Sequence, residues 1–569
     1  MSLEFCGLTI VLFGPQAGLA IRGIALPSVG SSLFPFTSFR LLPMTRSISY
    51  FSCLLVTAVF SASLRAEPVD ADLVLRGGTV YDGTGAGPVV ADLAVKGDRI
   101  VAIGTFETGK VGLEIDCRGL VVAPGFIDLH NHSDAQVVDR LTRANVNFLM
   151  QGCTTVVTGN CGSGPIEVAQ YYGKIDLAGA GTNVAHLLPQ GNVREAVVGS
   201  TQRAATADEI GQMKNLARLA MREGAWGMST GLIYVPSSFA DTAELTEIAA
   251  VVGEEGGIYA SHIRNEGTGL LVAVKEALDI GRQGKLAVHI SHFKSSGRDA
   301  WGLVHRAVAM IEDARKEGQT VTADQYPYIA SSTSLEATVI PQWARAGGHK
   351  ELVARLDNAE HSARIREEIS TAVHKGDDGQ RIKIARYAPK PGWAGKSIAE
   401  IAAGEKTTPV DVVIEITRAG GAAVVNFGMS EEDVQYVMTI PWVATASDGR
   451  AYLPGGDRPH PRSYGTFSRK IGHYALAEKT IDLATAIRSS TGLPADILHL
   501  PDRGYLRVNH FADLAIFDPA TFRDEATFDE PHRYSRGIVY VIVNGQLAVW
   551  NGTPTGTLAG RALKREAKK

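Results

Sequence analysis

Leu120-Val121-Val122-Ala123-Pro124-Gly125-Phe126-Ile127-Asp128-Leu129-His130-Asn131-His132 is an apolar run that ends in two histidines one residue apart. Side chains two apart on a strand share a face, so His130 and His132 at the end of a buried strand can aim two imidazoles at one point. A metal ion is the natural occupant of such a point. Zinc takes a few nitrogen, sulfur or oxygen ligands and keeps one position open where it is catalytic, so the pair needs partners from elsewhere in the chain. Four later segments offer them: Asn160-Cys161-Gly162, Ser261-His262-Ile263-Arg264-Asn265-Glu266, Ser291-His292-Phe293-Lys294 and Ala446-Ser447-Asp448-Gly449. Each follows a short apolar run of strand character and presents one candidate ligand or base. Separate strands ending in separate polar groups are what a (β/α)-barrel needs, because its chemistry is assembled at the carboxyl ends of several strands.

The segments around this core agree. Ile210, Met213, Leu216, Ala217 and Ala220 recur at helical spacing, as do Leu245, Ile248, Ala249 and Val252, and strands alternating with amphipathic helices indicate a parallel sheet or barrel. Residues 71–104 read instead as short strands joined by tight turns, and the far end repeats the pattern in Leu514-Ala515-Ile516-Phe517 and Val539-Tyr540-Val541-Ile542-Val543. The division expected is a leader over 1–66, the N-terminal part of a β-domain over 67–123, a barrel over 124–500 and the C-terminal part of the β-domain over 501–569. Charged helical stretches from about 341 to 433 break the barrel rhythm and read as an insertion between two late strands, placed to act as a lid.

At 569 residues, 45% hydrophobic and 20% charged, the chain is globular with ample core material. Its net charge of −4 is well mixed, with no long basic run, which argues against a nucleic-acid partner and for a small-molecule substrate. Met44-Thr45-Arg46, an apolar stretch over 50–62 and Ser63-Leu64-Arg65-Ala66 have the layout of a secretory signal peptide cut after Ala66. Translation is then expected to start at Met44, with the mature protein periplasmic or secreted; if the leader is not cleaved it is cytoplasmic. The apolar stretch is too short to span a bilayer comfortably, so no stable membrane span is expected in the mature chain. Three cysteines, Cys117, Cys153 and Cys161, lie beyond the leader. An odd number argues against a disulfide framework, although a Cys153–Cys161 bridge would compete with a metal for Cys161.

With these residues in view, the chain resembles the amidohydrolase superfamily and, within it, the N-acyl-D-amino acid deacylases or D-aminoacylases. The motifs that carry the resemblance are residues 124–132, Gly159-Asn160-Cys161-Gly162, residues 227–234, 261–266 and 291–294, Tyr326-Pro327-Tyr328 with Ser331-Ser332, Ser447-Asp448-Gly449 and His460-Pro461-Arg462 with Gly465-Thr466-Phe467. They occur in the family's order over nearly everything from about residue 71 onward. The fold so implied is α/β, a (β/α)8 TIM-like barrel with a small β-sandwich domain formed from both chain ends. The resemblance implies that Cys161, His262 and His292 hold a tightly bound zinc ion, that His130 and His132 line a weaker second metal position, and that Asp448 is the catalytic carboxylate. It implies further that Lys294, Tyr326 and Ser332 assist Arg462 in holding the substrate carboxylate, for which a guanidinium offers a planar fork, and that Tyr234 touches the substrate.

Where the family tends to a Gly-His-Gly-like segment, this chain reads Leu188-Pro189-Gln190-Gly191. A glutamine there alters contacts without removing a ligand. His289, three residues before His292, faces the other way on a strand and reads as structural. The expected activity is zinc-dependent hydrolysis of N-acyl-D-amino acids. The rival is a cyclic-amide hydrolase of hydantoinase or dihydroorotase type, which calls for a lysine at a strand end carrying a carboxylate bridge between two metals; Cys161 speaks against it.

Overall fold

Eight short parallel strands surround one axis in the computed structural model, which describes residues 67–566. The leader expected over 1–66, with its cut site, lies outside the described residues. In chain order the strands are Phe126–Asp128, Cys153–Thr158, Asn183–His186 continued by Leu188–Pro189, Gly227–Gly231, Ile258–His262, Val288–Ile290, Val321–Gln325 and Val443–Thr445. All eight are buried along their whole length or nearly so, as strands of a parallel sheet covered on both faces are. The circle closes where the Asn131–Gly449 bridge joins the first strand to the eighth, with His132 N–H on the Gly449 carbonyl at 2.7 Å and Asp448 N–H on the His130 carbonyl at 2.8 Å. This is the (β/α)8 barrel.

The helices between the strands turn their apolar stripe inward. Ala207–Arg222 buries Met213, Ala217, Ala220 and Met221, and it starts at a capping box in which Thr206 and Glu209 satisfy each other's backbone N–H groups. Thr242–Glu254 buries Leu245, Ile248, Ala249 and Val252 against the same wall. Between the seventh and eighth barrel strands a separate unit opens at the strand Ser331–Ser334 and runs to the strand Ala423–Asn426, which pairs with both Ser331–Ser334 and Ile382–Arg386. It has its own core, including Leu335, Ile365, Ile369, Ile398, Val412 and Val424. Ser331–Ser334 is polar and half-buried throughout, so it carries no apolar alternation for a reader of the sequence to follow.

The small β-domain is a nine-stranded sheet to which both ends of the chain contribute. Val121–Pro124 is the join: it lies parallel to Val69–Val80 on one side and antiparallel to Leu514–Phe517 on the other, with Leu514 opposite Pro124. Leu73, Leu75, Leu93, Val95, Ile100, Val122, Leu514, Ile516 and Ile542 form its core. A buried polar knot, Arg503–Asp513 with Asn544 and Asn183, fastens this domain to the third barrel strand. The last described residues then leave the sheet and run along the amino-terminal face of the barrel. Gly560 N–H donates to the Ala180 carbonyl, Leu563 N–H to Val184, and the Trp226 indole to the Leu563 carbonyl at 2.7 Å. No helix among the described residues is long and apolar enough to cross a membrane.

Candidate metal centre

Past the ends of the barrel strands the backbone turns sharply enough to point single side chains at the axis. Cys161, His292 and Asp448 all adopt left-handed conformations, with φ of 52°, 37° and 51°. Each such non-glycine residue costs on the order of 1–3 kcal/mol and persists only where its surroundings hold it. Gly159 makes the turn before Cys161: its φ is 76°, and a Cβ there would lie 2.0 Å from the Leu187 carbonyl oxygen. Ser229, on the fourth strand, locks the same loop by donating to the Gly159 carbonyl and accepting from Gly162 N–H at 3.0 Å.

Five strands thereby bring their polar ends together. Cys161 Sγ lies 3.2 Å from His130 Nε2, 3.6 Å from His262 Nδ1 and 3.7 Å from His292 Nε2. His132 Nε2 is 3.0 Å from Asp448 Oδ1, and His130 Nε2 is 3.6 Å from the same oxygen. Three groups have all their ligand atoms within 4.8 Å of one another: His130, His132 and Cys161; Cys161, His262 and His292; and His130, His292 and Asp448. One sulfur therefore serves two imidazole pairs. Thiolate and imidazole together are a donor set that suits zinc. Burial by itself raises the Cys161 thiol pKa, but the facing imidazoles, His130 foremost, bring it well below its ordinary value. The Asp448 carboxyl is likewise opposed by burial, yet the Arg462 guanidinium and His130 hold it well below the usual carboxylate range, so it is ionised at neutral pH.

Behind these groups stand three carboxylates to which sequence reasoning gave no role, Asp128 and Asp324 buried and Glu266 half-buried. Glu266 Oε1 lies 2.9 Å from His292 Nδ1 and 2.5 Å from Lys294 Nζ. Asp324 Oδ1 accepts His292 N–H at 2.7 Å, while its Oδ2 meets His289 Nε2 at 2.9 Å and lies 3.4 Å from His130 Nδ1. Asp128 accepts the Ser447 N–H at 2.8 Å, the Ser447 hydroxyl at 2.5 Å and the Asn131 amide at 2.8 Å, across the seam between the first and last strands. Burial pushes its pKa up to about 6. The sequence shows Asp324 only as a carboxylate ending the run Val321-Thr322-Ala323-Asp324, and nothing along the chain says which atoms it meets. His289, which read as structural, touches no candidate ligand directly but reaches Asp324.

The residues expected on the substrate side also converge. Arg462 Nη1 pairs with Asp448 Oδ2 at 2.7 Å, and its Nη2 donates to the Ser332 carbonyl at 3.1 Å. The Tyr326 ring lies between the two cations, 4.8 Å from the Arg462 guanidinium carbon and 5.6 Å from Lys294 Nζ. Tyr234 packs edge-on to His262 and its hydroxyl meets Thr333 Oγ1 at 3.0 Å, linking the barrel to the inserted unit. Tyr234, Ser332, Thr333 and Asp448 line both of two adjoining cavities, of about 920 and 730 Å³. Cys161, His132 and Arg462 face the larger one, and His262, His292 and Lys294 face the smaller. Gln190, at the departure from the family pattern, is buried and bonded to Ser237 and, at 3.2 Å, to Glu244. Cys153 and Cys161 are both free thiols. They stand at opposite ends of the second strand, which at about 3.3 Å per residue puts them beyond disulfide reach.

A thiol, four imidazoles and an ionised carboxylate at the carboxyl end of an eight-stranded barrel define the class: a barrel hydrolase of the metal-dependent kind. The chain belongs to the amidohydrolase family, whose sequence profile matches residues 113–549, and it falls with that family's D-aminoacylases. It is 38% identical over 520 residues to the D-aminoacylase of Alcaligenes xylosoxydans xylosoxydans, covering 87% of this chain and 98% of that one. Two solved structures are similar across 87% of this chain and 100% of their own. The first is a D-aminoacylase studied for one-metal activation and second-metal attenuation in its binuclear centre, at 35% identity and a TM-score of 0.75. The second is the N-acyl-D-glutamate deacylase of Bordetella bronchiseptica, complexed with zinc and a phosphonate mimic of the tetrahedral intermediate, at 32% identity and a TM-score of 0.74.

Proposed function

We infer that this protein is a zinc-dependent deacylase that hydrolyses N-acyl-D-amino acids to a carboxylate and a free D-amino acid. The observation that carries the reading is the approach of Cys161 Sγ to within 3.7 Å of three imidazole nitrogens from three other strands, with Asp448 beside them. Cys161, His262 and His292 would hold the tighter ion, and His130 and His132, with the same sulfur, the weaker one. Zinc held there would lower the pKa of a water to about 7 and would polarise a carbonyl oxygen.

The chain's own groups do the rest. Asp448, ionised, takes a proton from the attacking water and returns it to the departing nitrogen, acting as base and then as acid. Arg462 grips the substrate carboxylate, with Lys294, Tyr326 and Ser332 around it and Tyr234 against the substrate. Fixing carboxylate and scissile carbonyl at two points leaves the side chain of one enantiomer with room. The relatives' names and the phosphonate complex support this substrate class. Against cyclic amides stands Cys161, which occupies the place between the imidazoles where a bridging lysine would be needed, while Lys294 is bonded to Glu266.

The test is release of free amine from N-acetyl-D-leucine, with N-acetyl-L-leucine and hydantoin in parallel; ring opening of hydantoin alone refutes the reading. Asp448→Asn should retain its zinc while kcat falls by about 10²–10⁴-fold, the usual weight of a general base. Normal turnover in that variant would assign the base elsewhere. We propose in addition that the leader over 1–66 directs export to the periplasm with cleavage after Ala66. Amino-terminal sequencing of the protein recovered from cell fractions tests this, and a cytoplasmic chain retaining residues before Glu67 overturns it.

A further inference from the structure

Asp324 sits on the seventh barrel strand, 1% exposed, and has no part in the chemistry just described. Three groups converge on its carboxylate: the His292 backbone N–H at 2.7 Å, His289 Nε2 at 2.9 Å and His130 Nδ1 at 3.4 Å. The last is an ionic contact without hydrogen-bond alignment, and it leaves His130 Nδ1 buried with no hydrogen-bond partner. His130 Nε2 points the other way, toward Cys161. An imidazole that gives Nε2 to a metal carries its proton on Nδ1, and that N–H needs an acceptor fixed by the protein. Asp324 is the carboxylate in place to accept it. His289, whose Nδ1 is 2.9 Å from Thr322 Oγ1, holds Asp324 from behind.

We propose that Asp324 is the positioning carboxylate of the centre, orienting His130 at the weaker metal position and, through the His292 N–H, the left-handed turn that presents His292 to the tighter one. The proposal rests on the metal reading given above. It makes Asp324 the element that couples the two positions, whereas Glu266, on His292 Nδ1, bears on the tighter one alone. All three approaching groups are donors in the metal-bound state, and a carboxylate has four lone-pair sites to meet them. An asparagine of the same shape offers one acceptor oxygen and turns two hydrogens toward donors. The isosteric change therefore separates charge and acceptor count from packing.

Zinc affinities of the wild-type, Asp324→Asn and His289→Gln chains are measured by competition with a calibrated chelator, with metal per chain counted after gel filtration. Cobalt(II)-loaded samples of all three give absorption spectra that report ligand geometry. The expected result for Asp324→Asn is an affinity loss of about 10–100-fold at the second position, the range for removing such a partner. A smaller loss is expected at the first, with an altered cobalt spectrum and a fall in kcat larger than any change in KM. His289→Gln should shift the same quantities in the same direction and by less. Unchanged affinities and spectrum in Asp324→Asn overturn the proposal. If that variant does not fold, unchanged affinities in His289→Gln overturn it instead. Wild-type chain that binds no zinc refutes the metal reading itself, and with it this proposal; zinc-binding wild type with indifferent variants refutes the proposal alone.

Discussion

Arg462 shows how much one side chain carries here. It is buried, pairs with Asp448, donates to the Ser332 carbonyl and lies over Tyr326. A lysine keeps the charge but loses the planar fork, and the loss of one charge-assisted hydrogen bond, about 1.5–3 kcal/mol, corresponds to roughly 10–100-fold in binding. Arg462→Lys should therefore raise KM by that order for N-acetyl-D-amino acids, with zinc content unchanged; steady-state kinetics beside metal analysis check it. His130, His132, Cys161, His262, His292 and Asp448 were legible because each ends an apolar strand, and strand ends are where a barrel gathers its chemistry. Asp324, Glu266 and Ser229 were not, since their importance lies in which atom they meet across a neighbouring strand. No spacing along the chain records that. The left-handed backbone of Cys161 was equally hidden, because cysteine does not advertise a turn, whereas histidine and aspartate are enriched in that region and Asp448 stands before a glycine.

Among the elements, helices were the most legible and polar strands the least. The stripe of Met213, Ala217 and Ala220 announced its helix, whereas Ser331–Ser334 offered neither apolar alternation nor a turn signal. A further hidden element is the helix Arg462–Arg469, which continues into a π-helical stretch, Lys470–Ala477. Lys470 opens that stretch 2% exposed, with no anionic partner among the described residues, and burial pushes its pKa down to about 7. The folded value lies below the ordinary 10.5, so between about pH 7 and 10.5 the unfolded chain holds more protons, and the wild type gains stability as pH rises through that window. Lys470→Met should accordingly be more stable than wild type at pH 7, by about 1–3 kcal/mol. The advantage should shrink toward pH 10. Urea unfolding at the two pH values reads this directly, and a constant difference would mean that packing, not charge, sets it.

At the scale of the whole molecule, the catalytic mouth is served from one face of the barrel and stability from the other. Residues 559–566 run along the amino-terminal face, where Gly560, Arg561 and Leu563 exchange backbone hydrogen bonds with Ala180 and Val184, and Arg565 reaches Gly224 and Ala225. Ending the chain after Leu558 removes at least four such bonds, the Trp226 indole's acceptor and the Asn544 amide's contact with Ala559. At about 1 kcal/mol per bond the loss is on the order of 3–5 kcal/mol, and the thermal midpoint should fall by several degrees with little change in KM. The sandwich strands at both termini were legible from alternation and turns, but their union was an inference from similarity of pattern, and this tail along the barrel carried no signal of its own.

The pairing of Val121–Pro124 with Leu514–Phe517 also sets a timetable for the newborn polypeptide. Strands that leave the ribosome first keep the Val121–Pro124 edge open until Leu514–Phe517 is translated, about 390 residues later, although the entropic cost of so long a closure grows only with the logarithm of its length. During synthesis that edge is a β-strand seeking a neighbour, and a neighbour from another molecule would serve. Slowing translation late in the gene should thus favour clumping over soluble yield, whereas a pause before the barrel should not.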